Sequence, residues 1–448
     1  KDGENGYSSS KTKEPALFGI AEHLTSKGNV ILNVDHKGQF EATESSFSRS
    51  SLMTFALFEI ICHAVSQINS VEFRKNQGNS SYKRRLKNIV VTCPTAMTIS
   101  EQETFRKGVK DALTLAQKYY DDTTIAVDIE VHPKDIKKSQ EQEEGQKNWK
   151  YDEATCSQIA YLYSELVDKF KGNHQLFFEY KGKARKNENG TVKDSITVAS
   201  VDIGGGTTDL MICNYGYSHN SEIPFLQPKP LFWEGFNLAG DDIVKRIIEF
   251  VILPEIAKNI NERGGVRIEE TMNLLFGSNI GRQTATDRIY RKQFGNQIGT
   301  YCAYAALNHV LSGEKTVIKR TLQEVFQEYT IPKNNLLPHL ENVLKINCGL
   351  EEFSLNDFTL EFDPERINYA IADIAESLTD KLTKLVSIFD CDVLLLSGKS
   401  SNMPVIRGLF VDSLVISPDK IVSFGSYRFG KWYPFANALG DVEDPKTT

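Results

Sequence analysis

The sequence predicts an α/β protein whose sheet core is interrupted by a helical insertion. Runs of β-branched and apolar residues at 89–93, 196–201, 210–213 and 393–396 have the length and composition of buried strands. Residues 241–354, which lie between the third and fourth of these runs, mostly have the spacing of amphipathic helices. We therefore expect a sheet core that is interrupted by one helical insertion.

Composition narrows the class of protein. The chain has 448 residues, 40% hydrophobic and 25% charged, with a formal net charge of -7. These are the proportions of a soluble globular protein, and the length suggests about three folding units. The acidic balance, without a dominant Lys/Arg block, argues against nucleic acid as the main ligand. The longest nearly apolar run, residues 55–65, is too short for a membrane span, so none is expected.

The seven cysteines are scattered singly, without a CxxC pair or a spaced Cys/His cluster. This pattern is typical of free thiols in a reducing compartment, and we expect a cytoplasmic protein; export is left open, because a signal at the true N-terminus would not be visible in this segment. The sequence starts at Lys1 without an initiating Met, so we expect it to be a segment of a longer polypeptide.

The first part of the chain combines a long helix with a crossover unit. Residues 50–68 carry apolar side chains at helical spacing, and a basic stretch at 79–87 is interpreted as a solvated loop. The strand at 89–93, the helix that follows and a strand at 124–131 predict a right-handed parallel crossover. A polar tract at 134–150 is not expected to pack.

The second part of the chain returns to helix and then enters the sheet. A helix is predicted at 152–170, and two strands at 196–201 and 210–213 flank a glycine cluster. Later, Pro364 opens a long helix that leads into the strand at 393–396, which ends at Ser397 and Gly398.

The glycine cluster is the strongest chemical signal. Residues 199–210 read ASVDIGGGTTDL, and the three glycines are Gly204, Gly205 and Gly206. Without a β-carbon they permit a turn with positive φ, and their N–H groups can approach an anion such as polyphosphate. Asp202 and Asp209 on opposite arms can order a hydrated Mg²⁺, and Thr207 and Thr208 add hydroxyl donors. The alternative is a tight glycine hairpin without a ligand, but the flanking Asp pair favours the ligand site.

This motif resembles the second phosphate motif of the actin, sugar kinase and heat-shock seventy chaperone superfamily of ATPases. Residues 89–112 are similar to the chaperone strand, proline and helix that precede the connecting helix. Residues 152–161 (DEATCSQIAY) resemble the connecting motif, residues 238–243 (LAGDDI) resemble the turn into the helical insertion, and residues 394–410 resemble the adenosine motif.

A closer resemblance is to the SrfB-type bacterial virulence factor family. It is carried by PTAM at 94–97 with the EQ and FR pairs that follow, by LLLSGKSSNMPVIRGLF at 394–410, and by WYPF and DPKTT at 432–435 and 444–448. The matched strings extend from about residue 50 to the end of the sequence.

The resemblance implies a ribonuclease H-like, actin-type fold of two lobes, each with a mixed sheet flanked by helices, incomplete at the N-terminus. Residues 1–85 would form the peripheral helical part of lobe one, and 86–194 the rest of that lobe with its connecting helix. Residues 195–240 and 355–448 would form the sheet of lobe two, and 241–354 its helical insertion.

The resemblance also implies roles for individual residues. Asp202 would order the metal and the attacking water, with Asp209 as a second carboxylate near the metal. Glu153 would position or deprotonate water; the alternative is a helix N-terminal acid stabilised by the dipole. The remaining nucleotide contacts would come from Gly204, Gly205, Gly206, Thr207, Thr208, Gly240, Asp241, Gly398, Ser400 and Ser401. For the two serines, a plain helix cap is the alternative.

The chain also departs from the superfamily pattern. The first phosphate motif, an Asp, Gly and Thr hairpin, is not found in these residues, and the positions that would hold adenine fall near Ala305, Asn308 and His309.

The implied function is an ATP-binding, chaperone-like module that holds Mg²⁺ and nucleotide in the cleft between lobes and acts on a protein partner. Hydrolysis and the oligomeric state are left open. The alternative is a degenerate actin-fold scaffold that binds partners without nucleotide turnover. Phosphorylation of a sugar or metabolite is less favoured, because no second substrate constellation is found.

Overall fold

The chain folds into two compact units. The computed structural model describes residues 30–34, 40–43, 49–76, 81–95, 97, 99–132, 152–183, 195–218, 225–277, 285–332 and 335–429. One unit contains residues 1–91, 98–142 and 283–288, and the other contains 92–97, 143–282 and 289–448. The predicted tract at 134–150 and the strings at 432–435 and 444–448 lie outside the described residues. The four predicted domain segments stay predictions.

The first unit contains a parallel strand pair joined through a helix. Its elements are β1 (Val30–Val34), β2 (Phe40–Thr43), α1 (Arg49–Ile68), α2 (Val71–Asn76), β3 (Leu86–Val90), α3 (Ile99–Tyr119) and β4 (Ile125–His132). Strands β3 and β4 are parallel, as predicted, whereas β1 and β2 are antiparallel. Helices α1 and α3 pack through a small apolar core that includes Ile61, Val65, Val109 and Leu113.

Strand β3 lies three residues earlier in the chain than the strand predicted at 89–93. The prediction followed the apolar run, but the ladder with β4 begins at Leu86 and ends at Val90. The prediction placed Cys93 in this strand. In the structure Cys93 belongs to the second unit, where it forms an isolated parallel bridge with Asp152 of the same unit.

Helix α1 is the one part of the described chain with the length and composition of a membrane span. Its window Ser51–Ile68 has a mean hydropathy of 1.5, and 11% of that window is buried. The prediction that the chain has no membrane span was based on the apolar run at 55–65. The helix extends beyond this run in both directions. This is weak support for a span, because soluble helices pass the same test.

The second unit holds the larger sheet and most of the helices. Its N-terminal part contains α4 (Glu153–Tyr163), which continues as a π-helical segment at Ser164–Lys169, then α5 (His174–Lys181), β5 (Ser195–Ile203), β6 (Thr208–Ser218) and β7 (Phe225–Phe236). The chain then forms α6 (Gly240–Ile247), α7 (Leu253–Glu262), α8 (Ile268–Phe276), α9 (Ala285–Phe294), α10 (Thr300–Leu311), β8 (Ile318–Thr321), α11 (Leu322–Glu328) and α12 (Leu336–Cys348). The last elements are β9 (Thr359–Phe362), α13 (Pro364–Ile388), β10 (Val393–Ser397), α14 (Pro404–Ser413) and β11 (Ile421–Ser423).

Five strands form one mixed sheet in the order β11-β10-β5-β6-β7. Strands β5, β6 and β7 are consecutive antiparallel neighbours, whereas β10 is parallel to both β5 and β11. The mixed α/β class predicted from the strands and helices is thus confirmed.

The two faces of this sheet are covered by different elements. On one face, side chains such as Val201, Ile212 and Leu394 belong to the large apolar core shared with the helices of 240–388. On the other face, side chains such as Val198 and Leu395 pack with α4 and α5. Because both faces are covered, β10 is buried throughout, and Asp202 is the one residue of β5 that is not buried.

Candidate functional site

The candidate site is built on the turn between β5 and β6. Residues 204–207 form this turn, hereafter the glycine turn, and the N–H of Gly204 donates to the carbonyl oxygen of Thr207 at 3.0 Å. Asp202 and Asp209 are direct cross-strand partners at its base, followed by the pair Ile203 and Thr208. Since directly opposed residues of an antiparallel pair project from the same face, the two carboxyl groups are neighbours.

The glycines do not make the turn in the way expected from the sequence. None of Gly204, Gly205 and Gly206 has a φ in the left-handed region, so the expectation of positive φ is wrong for them. A β-carbon added at Gly206 would have no atom within 4 Å, and one at Gly205 would lie 3.8 Å from Asp241 Oδ1. Neither the backbone conformation nor the packing of the described chain therefore requires glycine at 205 or 206.

Three consecutive backbone donors are available in the glycine turn. Within the described residues, the N–H groups of Gly205, Gly206 and Thr207 make no hydrogen bond to protein, and all three residues are exposed. Successive N–H groups in a turn form a concave, partially positive surface that suits an anion. The glycine turn thus has the donors that a phosphate group needs.

The start of α6 is fastened to the glycine turn. The N–H of Gly240 donates to Gly204 O at 2.9 Å, and the N–H of Asp241 donates to Gly205 O at 2.7 Å. The first N–H groups of a helix lack intrahelical partners, and these carbonyl oxygens supply them. The backbone donors of Gly240 and Asp241 are consequently engaged by the protein, although the Asp241 side chain remains exposed.

Thr208 is also engaged by the fold. Its side chain is fully buried at 0% exposure, and its hydroxyl donates to Leu238 O at 2.6 Å. This bond joins the base of the glycine turn to the segment that leads into α6. Thr207, in contrast, is exposed and accessible to a ligand.

The segment after β10 closes against the same turn. Gly398 has a φ of +84°, and a β-carbon there would lie 2.6 Å from the carbonyl carbon of Ile203 and 2.7 Å from Asp202 Oδ1. A β-carbon at Gly240 would lie 2.7 Å from the hydroxyl oxygen of Ser400. The three segments that the sequence singled out, 202–209, 238–241 and 397–401, therefore meet at one place.

Ser400 and Ser401 are both buried. The Ser401 hydroxyl donates to Gly398 O at 2.7 Å, and its backbone N–H donates to the same oxygen at 3.2 Å. The residue at the N-cap of the short turn Lys399–Asn402 is Gly398, so neither serine caps it there. The hydroxyl of Ser401 stabilises the turn, whereas that of Ser400 lies beside Gly240.

Glu153 is the first residue of α4 and lies near Asp202 and Asp209 at the base of the glycine turn. Asp152 caps this helix by accepting from the Thr155 N–H at 2.8 Å, and the Glu153 N–H donates to Cys93 O at 3.1 Å. Burial raises the pKa of Glu153, and the negative charges of Asp202, Asp209 and Asp152 raise it further. These carboxyl groups therefore form one electrostatically coupled cluster.

Burial likewise raises the pKa of Asp202, while the Ser397 hydroxyl acts in the opposite direction. Ser397 is the parallel-strand partner of Asp202. Sequence reasoning did not assign Ser397 a role, although its place at the end of a buried strand beside a glycine was a usable signal.

The residues fit a magnesium ion only as a hydrated ion. Among the described residues, no group of three or more His, Cys, Asp or Glu side chains is arranged to hold a metal. Asp209 is only 4% exposed, so of the two predicted metal carboxylates Asp202 is the more accessible. Mg²⁺ keeps several waters and is commonly held by one or two carboxylates together with substrate phosphates, which is compatible with this arrangement.

The positions predicted near adenine are used for packing. Ala305 and His309 are buried in α10, and the ring nitrogen Nε2 of His309 lies 2.7 Å from Thr316 O. The side chain of Asn308 donates to the hydroxyl of Tyr329 at 2.6 Å. The side chain of Tyr304 on the same helix is 41% exposed, and its pKa is raised by the partial burial of the ring and by the charge of Asp241.

The fold and the site define a mixed α/β protein whose central sheet carries an exposed glycine turn with a coupled carboxylate cluster at its base. The family model of the virulence factor SrfB matches residues 5–448, nearly the whole chain. The chain belongs to this family of bacterial virulence factors. No curated protein matches it.

Proposed function

We propose that this SrfB-family chain binds ATP with Mg²⁺ at the glycine turn and hydrolyses its terminal phosphoanhydride bond. The observation that carries the proposal is the set of three exposed, consecutive N–H groups of Gly205, Gly206 and Thr207. Two of these residues are glycines that the protein's own backbone and packing do not require. Glycine at such positions leaves room for the close approach of a ligand.

The strand order supports an actin-type assignment of the fold. Three consecutive antiparallel strands are followed by two strands parallel to the first, which gives the order β7-β6-β5-β10-β11. This is the arrangement of a ribonuclease H-like lobe. In that arrangement the turn between the first two strands and the end of the fourth strand lie at the same edge, as the glycine turn and Gly398 do here.

The charge of the site argues for a metal complex of the nucleotide. Glu153, Asp202 and Asp209 are negative, and a bare triphosphate brought to them would be repelled. Bound Mg²⁺ would supply the positive charge that offsets both the phosphates and the carboxylates. Asp202 would hold the hydrated ion, and the N–H groups of the glycine turn would hold the terminal phosphate.

Glu153 suits the role of base for the attacking water. A catalytic base works best when its pKa lies near the working pH, and burial and its neighbours raise the pKa of Glu153 in that direction. Water oxygen would attack the terminal phosphorus while the bond to the bridging oxygen breaks and ADP leaves. The proton of the water would pass to the Glu153 carboxylate and then to solvent, leaving inorganic phosphate.

In this proposal the nucleotide state controls the binding of a protein partner, as the resemblance to chaperones implies. The second candidate is a scaffold of the same fold that binds partners without nucleotide. The observation that favours the scaffold is the number of predicted ligand groups already engaged by the protein: the Thr208 hydroxyl, the Ser401 hydroxyl, and the N–H groups of Gly240 and Asp241.

Thermal unfolding with and without nucleotide separates the two candidates. Mg²⁺ and ATP at about 100 times the dissociation constant should stabilise the wild-type protein by about 2.7 kcal/mol, and chelation of the metal should remove the effect. Asp202→Ala should abolish the shift. Glu262→Ala, which removes an exposed carboxylate at the end of α7, should retain it. A wild-type protein that ATP does not stabilise would favour the scaffold.

A further inference from the structure

Gln158 lies in a buried polar network between α4 and strands β5 and β6, the two strands that the glycine turn connects. It is fully buried at 0% exposure on α4. Its Nε2 donates to the Ser200 hydroxyl oxygen at 2.8 Å and to Met211 O at 3.0 Å. Its Oε1 accepts from the hydroxyl of Tyr215 at 2.7 Å. One side chain thus joins α4 to both β5 and β6.

A second hydrogen bond closes the network at the start of α4. The Ser200 hydroxyl donates to Ala154 O at 3.0 Å, and Ala154 directly follows Glu153. Ser200 therefore contacts α4 at two points, through Gln158 and through the first turn of the helix. The N-terminal end of α4 is consequently fixed on β5 in both position and rotation.

The network lies close to the residues of the proposed chemistry. At about 1.5 Å per residue, Gln158 is roughly 7.5 Å along α4 from Glu153. At about 3.3 Å per residue, Ser200 and Met211 are each roughly 6.6 Å along their strands from Asp202 and Asp209. The hydrogen bonds of Gln158 therefore fix the position of α4, which carries Glu153, relative to the strands that carry Asp202 and Asp209.

A packing role alone does not explain the residue type. A leucine at this position could bury similar apolar surface, whereas an amide has to be fully hydrogen-bonded to avoid a desolvation cost. The satisfied network accepts one arrangement of helix on sheet, because a shift of the helix would leave buried donors and acceptors unpaired.

We propose that Gln158 is a positioning residue that holds the carboxylate of Glu153 at the distance from the glycine turn that the attacking water requires. This inference rests on the proposed function, because it assigns Gln158 to the same hydrolytic step. Gln158 itself contacts neither nucleotide nor water. It acts through Glu153, and its loss should affect turnover far more than nucleotide binding.

A double-mutant cycle tests this inference. The variants are Gln158→Leu, Glu153→Gln and the double variant, with Gln175→Leu on the exposed face of α5 as the matched control. Gln158→Leu should lower kcat for ATP hydrolysis by about tenfold to a hundredfold, as expected for a small misplacement, and leave KM for Mg·ATP within about twofold. In the Glu153→Gln background the same substitution should have almost no further effect on kcat. Gln175→Leu should match the wild-type protein.

The outcomes also separate this inference from the proposed function. If the wild-type protein neither binds nor hydrolyses Mg·ATP, the proposed function fails and the inference fails with it. If the wild-type protein hydrolyses ATP but the two substitutions lower kcat independently, or if Gln158→Leu leaves kcat unchanged, only the inference is overturned. Binding without hydrolysis by the wild-type protein also overturns it.

A second variant covers the case in which Gln158→Leu does not fold. Tyr215→Phe removes one hydrogen bond to Gln158 Oε1 and keeps the ring in the apolar core. It should lower kcat in the same direction by a smaller factor, again only when Glu153 is present. An unchanged kcat in a folded Tyr215→Phe protein would contradict the inference.

Discussion

Gly398 lies so close to Ile203 that the chain after β10 has no room for a side chain where it passes the end of β5. A β-carbon at Gly398 would lie 2.6 Å from the carbonyl carbon of Ile203, a separation that real contacts do not reach. The glycine also has a φ of +84°, which other residues rarely adopt. This contact holds the Gly398 segment against the arm of the glycine turn that carries Asp202.

Gly398→Ala should destabilise the protein by about 1–3 kcal/mol, because strain at positive φ adds to the clash with Ile203. Urea unfolding would measure the change. Gly408→Ala is the matched control, since Gly408 lies in α14 with no atom within 4 Å of an added β-carbon. Alanine there should stabilise the protein by about 0.5–1 kcal/mol. Equal effects at the two positions would show that the close approach at Gly398 is not as described.

Gly206→Ala should change the free energy of unfolding by less than about 0.5 kcal/mol, because the added β-carbon meets nothing in the protein and the φ is not left-handed. The same substitution should weaken the thermal stabilisation by Mg·ATP, because a methyl group on the exposed glycine turn would hinder the close approach of the phosphates. Thermal unfolding with and without nucleotide measures both effects. Full retention of the ATP effect would place the phosphates elsewhere.

Thr208→Val should cost about 1–3 kcal/mol, because it leaves the buried Leu238 carbonyl without the hydroxyl that donates to it. Thr208→Ser keeps the hydroxyl and should recover much of the loss. Chemical unfolding of the two variants, compared with the wild-type protein, gives the values. A valine variant as stable as the wild-type protein would show that the Thr208 hydroxyl does not stabilise the fold, and would favour a role for it in ligand binding.

The carboxyl groups of Glu153 and Asp202 should destabilise the folded protein less as the pH falls from neutrality toward the ordinary carboxyl range. The pKa values of Glu153 and Asp202 are raised in the folded state, chiefly by burial, so the folded protein takes up protons at a pH where the unfolded chain does not. Their contribution therefore increases as the pH falls through the folded pKa values and decreases as it rises.

Other carboxyl groups have the opposite effect on stability. The prediction therefore concerns the difference in stability between a variant and the wild-type protein as the pH changes. Burial acts to raise the pKa of Glu165, but hydrogen bonds from Lys169 and Tyr427, together with the positive charges of Lys181 and Lys169, lower it. The double variant Glu153→Gln, Asp202→Asn should be more stable than the wild-type protein at neutral pH, and its advantage should shrink as the pH falls. Melting temperatures across this range would show it, and a constant difference would contradict the assigned cause.

Much of the sheet and of the site could be predicted from local sequence. The strands around Asp202 and Val393, the long helix from Pro364 and the glycine turn each have a short, contiguous pattern. Strand β7 was missed because Pro228 and Pro230 interrupt its apolar pattern. Both prolines are tolerated because β7 is the edge strand, next to a register shift after Ile212.

The role of individual polar groups was harder to predict, because it depends on contacts between distant segments. Thr208 reads as a ligand residue in the motif, yet Leu238 engages its hydroxyl from 30 positions away. Gln158 gave no signal, because a glutamine among apolar helical residues is ordinarily exposed. Its partners Ser200, Met211 and Tyr215 lie on strands whose register is fixed only in the folded sheet.

The prolines of β7 also bear on how this sheet meets other chains. Two of the 12 residues along this outer strand have no amide hydrogen to offer, so an incoming extended peptide would find an interrupted ladder. The two prolines therefore disfavour fibril growth and domain swapping by strand pairing at β7. A protein that engages this margin would have to recognise its side chains, among them the half-exposed Trp233, rather than extend the sheet by another strand.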